Sequence, residues 1–147
     1  MQTNFKFKGV HACEAVVLSC IDFRFWKDIA RFVEEELGIQ SYDFPSLPGA
    51  AKAINDCVGE NDLAMKCIGI PCDLHQVQKA VIVNHWDCGA YGGSKSFGSR
   101  VEELEFHKSE LAKAKERLKK QYPNLEVITV LAQITEDDKN IEFLTFA

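Results

Sequence analysis

Two short apolar runs constrain this chain more than anything else in it. Glu14–Cys20 reads EAVVLSC and Ala80–Asn84 reads AVIVN, both rich in β-branched residues and neither alternating with polar ones. A strand with one wet face alternates, whereas an unbroken apolar strand is covered on both faces. Two such strands, separated by helical pattern, predict a mainly parallel sheet with helices on each side. In sheets of that kind the chemistry gathers beyond the carboxyl ends of the strands. Both runs end in reactive residues: the first in Cys20, the second in His85.

The rest of the chain supplies the covering elements. Ile29, Phe32, Val33 and Leu37 recur at helical spacing within Phe25–Leu37, and Gly38 can close that helix. Ile39–Phe44 is expected as a half-exposed strand stopped by Pro45 and Pro48. Short helices are expected over Ala50–Val58, closed by Gly59, and over Asp62–Ile68, closed by Gly69 ahead of Pro71. Pro71–Gln78 reads as a helical turn. Ser99 and Glu102 form a capping-box pattern opening a long helix to about Gln121, with Val101, Leu104, Leu111, Leu118 and Tyr122 as its inner stripe. Leu125–Ala132 is a further buried strand and Ile141–Phe146 an edge strand. The expected fold is therefore α/β, a mainly parallel twisted sheet of four strands plus an edge strand, with helices on both faces. With no linker or repeat in 147 residues, residues 1–147 are expected to form a single domain.

Cys20-Ile21-Asp22-Phe23-Arg24 follows the first strand. In extended backbone, residues two apart share a side, so Cys20, Asp22 and Arg24 can project together. His85-Trp86-Asp87-Cys88 follows the second, and a His and a Cys three apart around a turn can bite one metal. Two thiolates and one imidazole leave the fourth tetrahedral position free, as a catalytic zinc site requires. Gly89, Gly92 and Gly93 let the chain turn behind them. Either motif alone is weak, since a buried cysteine followed by a surface Asp–Arg pair is common. Both motifs at buried strand ends together favour a metal. Cys72-Asp73-Leu74-His75, with Cys67 near, is a rival bite without a strand platform. Cys13 and Cys57 read as packing residues, and His11 and His107 as surface histidines.

A net charge of −5 excludes the basic face that nucleic acids need and a polybasic membrane contact. No apolar run reaches the length of a membrane span or a signal sequence. Six cysteines in a chain large enough to fold without staples point to reduced thiols and a cytoplasmic setting.

CIDFR followed by HWDCG resembles the beta-class carbonic anhydrases, whose signature is C-x-D-x-R and then H-x-x-C-G. The 65-residue spacing from Cys20 to His85 and the strand–helix order across nearly the whole chain fit that family. The resemblance implies one zinc per chain on Cys20, His85 and Cys88, with Asp22 and Arg24 as a catalytic dyad. It also implies a homodimer or a dimer of dimers, with pocket walls shared between subunits. The activity implied is reversible hydration of carbon dioxide to bicarbonate, zinc lowering the pKa of a bound water. Two thiolates cancel the metal's formal charge, so that water should be less acidic than at a three-histidine site. Asp22 would orient the nucleophile, and Arg24 would keep that carboxylate ionised and aimed. Phe23, Phe25, Phe44, Leu47 and Tyr91 are candidates to line an apolar pocket. The sequence departs from the family at Phe23, where a small residue is usual, and at Ser46-Leu47-Pro48-Gly49-Ala50, where many members carry R-N-A-G. Little of the chain precedes the first strand, so partner-embracing helices are expected to be reduced. Hydrolysis of carbonyl sulfide or carbon disulfide, or a silent zinc-binding scaffold, are the alternatives the same motif allows.

Overall fold

A computed structural model describes residues 1–146. It contains five strands, β1 (Ala15–Ser19), β2 (Tyr42–Asp43), β3 (Lys79–His85), β4 (Glu126–Ile134) and β5 (Ile141–Phe146). They form one sheet in the order β2-β1-β3-β4-β5, the first four parallel and β5 antiparallel to β4. The helices are α1 (Trp26–Glu35), α2 (Ala51–Asn55), α3 (Leu63–Leu74) and α4 (Arg100–Gln121). The expected α/β architecture is the observed one.

Strand alternation divides the core in two. Val16, Leu18, Ala80 and Ile82 join a cluster with residues of α2, α3 and α4. Ala15, Val17, Val81 and Val83 face the other way, onto Ile29 and Val33 of α1. All eight are fully buried, which is why Ala15–Leu18 and Ala80–Val83 carry only apolar letters. Shortening one of them, as in Leu18→Ala, should cost about 2–5 kcal/mol.

Three boundaries differ from expectation, each for a physical reason. β2 has two residues rather than the six of Ile39–Phe44, because the Glu14 carboxylate takes the amides of Gln40 and Ser41 that a ladder would have used. α2 stops at Asn55, short of Val58. α3 runs on through Gly69 and Pro71, so the expected stop at Gly69 and the separate turn over Pro71–Gln78 are wrong. Gly69 is a packing requirement: the Tyr122 hydroxyl lies 2.7 Å from where a Cβ would stand. Pro71, in the last turns, deletes one helical donor that α3 does without.

The stripe of α4 is also more polar than its sequence suggested. Its buried residues are Glu103, His107, Leu111, Ala114 and Leu118, while Val101 is 69% exposed. His107 is fully buried, so its expected surface position is corrected. Ser99 caps the helix, accepting from the Glu102 amide, and Glu102 reaches back to the Gly98 amide. Among the described residues no helix is long and apolar enough to cross a membrane.

Candidate metal centre

Strand alternation brings the donors in from opposite faces of the sheet. Cys20 continues the face of β1 that carries Val16 and Leu18. His85 continues the other face of β3, and its ring lies 4.4 Å from that of Phe25. Asp87, at φ +55°, turns the chain back so that Cys88 meets both. The Cys88 carbonyl then accepts from the Tyr91 and Gly93 amides, pinning the loop. The sulfurs of Cys20 and Cys88 and an imidazole nitrogen of His85 lie within 4.8 Å of one another, all three residues buried.

The two sulfurs are 3.9 Å apart, too far for a disulfide. Zinc–sulfur bonds of about 2.3 Å at a tetrahedral angle would separate two sulfurs by about 3.8 Å. His85 Nδ1 lies 2.7 Å from the Trp86 carbonyl oxygen. A carbonyl only accepts, so Nδ1 carries the proton and Nε2 keeps its lone pair. That Nε2 is buried and has no hydrogen-bond partner. Such an orphan costs on the order of 1–3 kcal/mol, a cost that a bound cation would remove. The donors present therefore fit a metal of the zinc class.

Without metal the thiol pair divides its protons unequally. Donation from the Cys88 thiol holds Cys20 well below the usual thiol range, with burial opposing and the Gly49 amide assisting. Cys88, donating to Cys20 and buried, is held well above the usual thiol range. Gly49 is at φ +76°, and a Cβ there would come within 2.8 Å of the Lys52 Cβ. Only glycine lets its amide reach Cys20 Sγ, at 3.3 Å.

Asp22 stands beside this cluster, its Oδ2 3.9 Å from His85 Nε2. Arg24 forks onto it, Nε donating to Oδ1 at 3.0 Å and Nη2 to Oδ2 at 2.7 Å. The Arg24 amide adds a further bond, to Oδ1 at 3.0 Å. The pair meets through a turn, since the chain leaves extended conformation after β1, rather than through the strand alternation expected. Those hydrogen bonds hold the Asp22 carboxyl below its ordinary range against its burial.

Several contributors carry no recognisable sequence motif. Asp87 Oδ2 accepts from Arg24 Nη1 at 3.1 Å, and its Oδ1 accepts from the Ser94 amide at 2.9 Å. The Ser94 amide first, and then Arg24, lower the Asp87 carboxyl. Glu103 from α4 accepts the Asp87 amide at 2.8 Å. Asn84 accepts the Ala51 amide and lies 3.2 Å from His107 Nδ1. Of the expected pocket residues, Phe25 backs His85, whereas Phe23 is 82% exposed and faces solvent. Phe44 and Leu47 pack partly buried on the two core clusters. The Tyr91 ring stands edge-on to His107.

The rival bite does not assemble as read. His75 instead joins Cys13 and Asp43, the second donor group among the described residues. Cys57, two residues past the end of α2, donates to the Ala53 carbonyl and packs on the core, as expected for a packing residue.

The family model described as "Putative carbonic anhydrase" matches residues 10–142. An uncharacterized protein of Rickettsia conorii is 30% identical over 135 residues, 88% of this chain and 72% of that one. Another, from Rickettsia bellii, is 29% identical over 130 residues, 84% and 79% of the two chains. Among solved structures, a beta-carbonic anhydrase of Trichomonas vaginalis aligns with a TM-score of 0.55 at 16% identity, over 97% of this chain and 87% of that one. Two tetrameric beta-carbonic anhydrases of Sordaria macrospora give 0.52 at 18%, over 95% and 85%. At such identities the likeness establishes the fold.

Proposed function

We propose that this chain, which belongs to that carbonic anhydrase family, is a zinc lyase that reversibly hydrates carbon dioxide to bicarbonate. One zinc is held at this centre by Cys20, His85 and Cys88. The observation that carries the reading is the buried, partner-free Nε2 of His85 between two thiols, beside a carboxylate clamped by arginine. Bound there, zinc supplies the Lewis acidity that lowers the pKa of water and furnishes a nucleophile near neutral pH.

The chain's own residues do the rest. The Trp86 carbonyl fixes the His85 tautomer, and Phe25 holds the ring in place. The Gly49 amide spreads charge from Cys20. Asp22, kept ionised by Arg24, can only accept hydrogen bonds, so it accepts one from the attacking oxygen and aims that oxygen's lone pair at carbon. Arg24 prevents Asp22 from turning onto the metal, and this pairing supports an active centre over a silent one. Asp87 braces Arg24 from its far side.

Ile21, Phe23 and Trp26 leave a partly exposed apolar patch beside the dyad. A second copy of the chain would cover that patch and wall the pocket, so the working form is a homodimer or higher. The tetramers of the Sordaria enzymes support the same reading. All six cysteines are free, in keeping with a reducing cytoplasm.

Stopped-flow hydration of carbon dioxide by zinc-loaded protein tests the activity. The proposal expects a rate well above background that depends on Asp22. A zinc-loaded chain that turns over only carbonyl sulfide or carbon disulfide, or nothing, would refute it.

A further inference from the structure

A second cluster of donors lies at the opposite end of the sheet. Cys13 just precedes β1, Asp43 ends β2 and His75 follows α3. They bring a thiol sulfur, a carboxylate oxygen and an imidazole nitrogen within 4.8 Å of one another. Asp43 Oδ2 sits between the other two, 2.6 Å from His75 Nδ1 and 3.6 Å from Cys13 Sγ. The backbone fixes all three. The Cys13 amide donates to the His75 carbonyl at 3.1 Å, the His75 amide to the Pro71 carbonyl at 3.0 Å, and Asp43 pairs with Val16. The His11 ring stands 5.4 Å from that of His75. His11, Cys13, Asp43 and His75 together line a cleft of about 570 Å³.

We propose that Cys13, Asp43 and His75 form a second binding site, for a divalent cation of the zinc class. Thiolate, imidazole and carboxylate are the mixed donor set of zinc and cobalt, whereas magnesium and calcium take oxygen alone. The cleft leaves room for a water or for His11 to complete the coordination. Binding displaces the Cys13 thiol proton to solvent, so protons balance without a redox step. A nucleophilic triad is the poorer reading, because Cys13 Sγ meets the carboxylate rather than an imidazole nitrogen that could take its proton. A cation here would tie the start of β1 to β2 and to the end of α3. It would hold the amino ends of the sheet as a clamp, remote from the Cys20 centre.

Equilibrium dialysis of the full chain against cobalt(II) tests the site, with the visible and near-ultraviolet spectrum as a second readout. Wild type should bind two equivalents. Cys13→Ser and His75→Gln should each bind one, and so should Cys20→Ser. The cobalt left in Cys20→Ser should keep a single-thiolate charge-transfer band that vanishes when Cys13→Ser is added. Wild type binding one equivalent that survives both Cys13→Ser and His75→Gln would overturn the proposal and leave a hydrogen-bonded cluster. One equivalent lost in Cys13→Ser but kept in Cys20→Ser would uphold this site and sink the other centre. Should Cys20→Ser fail to fold, wild type against Cys13→Ser and His75→Gln still decides.

Discussion

The two ends of the sheet hold nearly the same donors in opposite states. At the carboxyl end, Cys20, His85 and Cys88 are withdrawn from water, and an imidazole nitrogen is left with nothing to bond. At the amino end, Cys13, Asp43 and His75 are each partly open and satisfy one another through a single carboxylate oxygen. A buried orphan makes the metal-free state costly, whereas a self-satisfied, wetted cluster is stable without a guest. The first centre should therefore bind its cation tightly and use it, and the second should bind more weakly and hold structure.

The largest effect follows from removing a thiolate at the carboxyl end. Cys88→Ser should lose zinc from this centre, and carbon dioxide hydration should fall to the uncatalysed rate, as metal analysis and stopped flow would record. Arg24→Ala should keep zinc yet lose about 10²–10³-fold in rate, on the scale of one preorganised polar contact. Asp22→Asn should match it, and the double variant should be little worse than either, because the pair acts as a unit. Wild-type rates in both single variants would remove the dyad from the mechanism.

The same contrast explains what could be read from sequence. β1 and β3 are legible because burial on both faces leaves Ala15–Leu18 and Ala80–Val83 wholly apolar, and their reactive ends are legible with them. The edge is not: a Glu14 side chain that caps Gln40 and Ser41 shortens β2 without any local signal. Gly69 reads as a stop because its reason, the Tyr122 hydroxyl lying on α3, is distant in the chain, and Pro71 reads as one because proline deletes a helical donor. The inner stripe of α4 departs from an apolar period for a reason that lies outside the helix. Glu103 and His107 interrupt its apolar period because they serve Asp87 and Asn84 behind the metal centre. At Ser46–Ala50 the useful group is a backbone amide, that of Gly49, which no side-chain motif encodes.

Those buried polar groups should make the carboxyl end acid-sensitive. Burial pushes His107 down from 6.5 to about 4, with Glu110 opposing. Glu103 lies 3.8 Å from its Nε2, and Tyr91 and Asn84 face it from the neighbouring loop and strand. The unfolded chain takes up the proton near 6.5 and the folded chain only near 4. Stability present above 6.5 is therefore lost as pH falls toward 4, by up to about 3 kcal/mol. Urea titrations across that window should register it, and His107→Gln should flatten the profile. Asp87→Asn should be milder, about tenfold in rate with zinc retained, because the fork of Arg24 on Asp22 remains. Phe23→Ser should be the smallest, moving stability by less than about 0.5 kcal/mol while loosening self-association seen by light scattering. A chain that is already monomeric before the change would remove the proposed dimer.

Zinc seated on Cys20, His85 and Cys88 is tested most directly by zinc-edge X-ray absorption on protein loaded with less than one equivalent. The expected first shell has two sulfurs at about 2.3 Å, one imidazole nitrogen at about 2.0–2.1 Å and one further light atom. A shell with one sulfur would place the metal at the amino end instead, and a shell with none would contradict both sites.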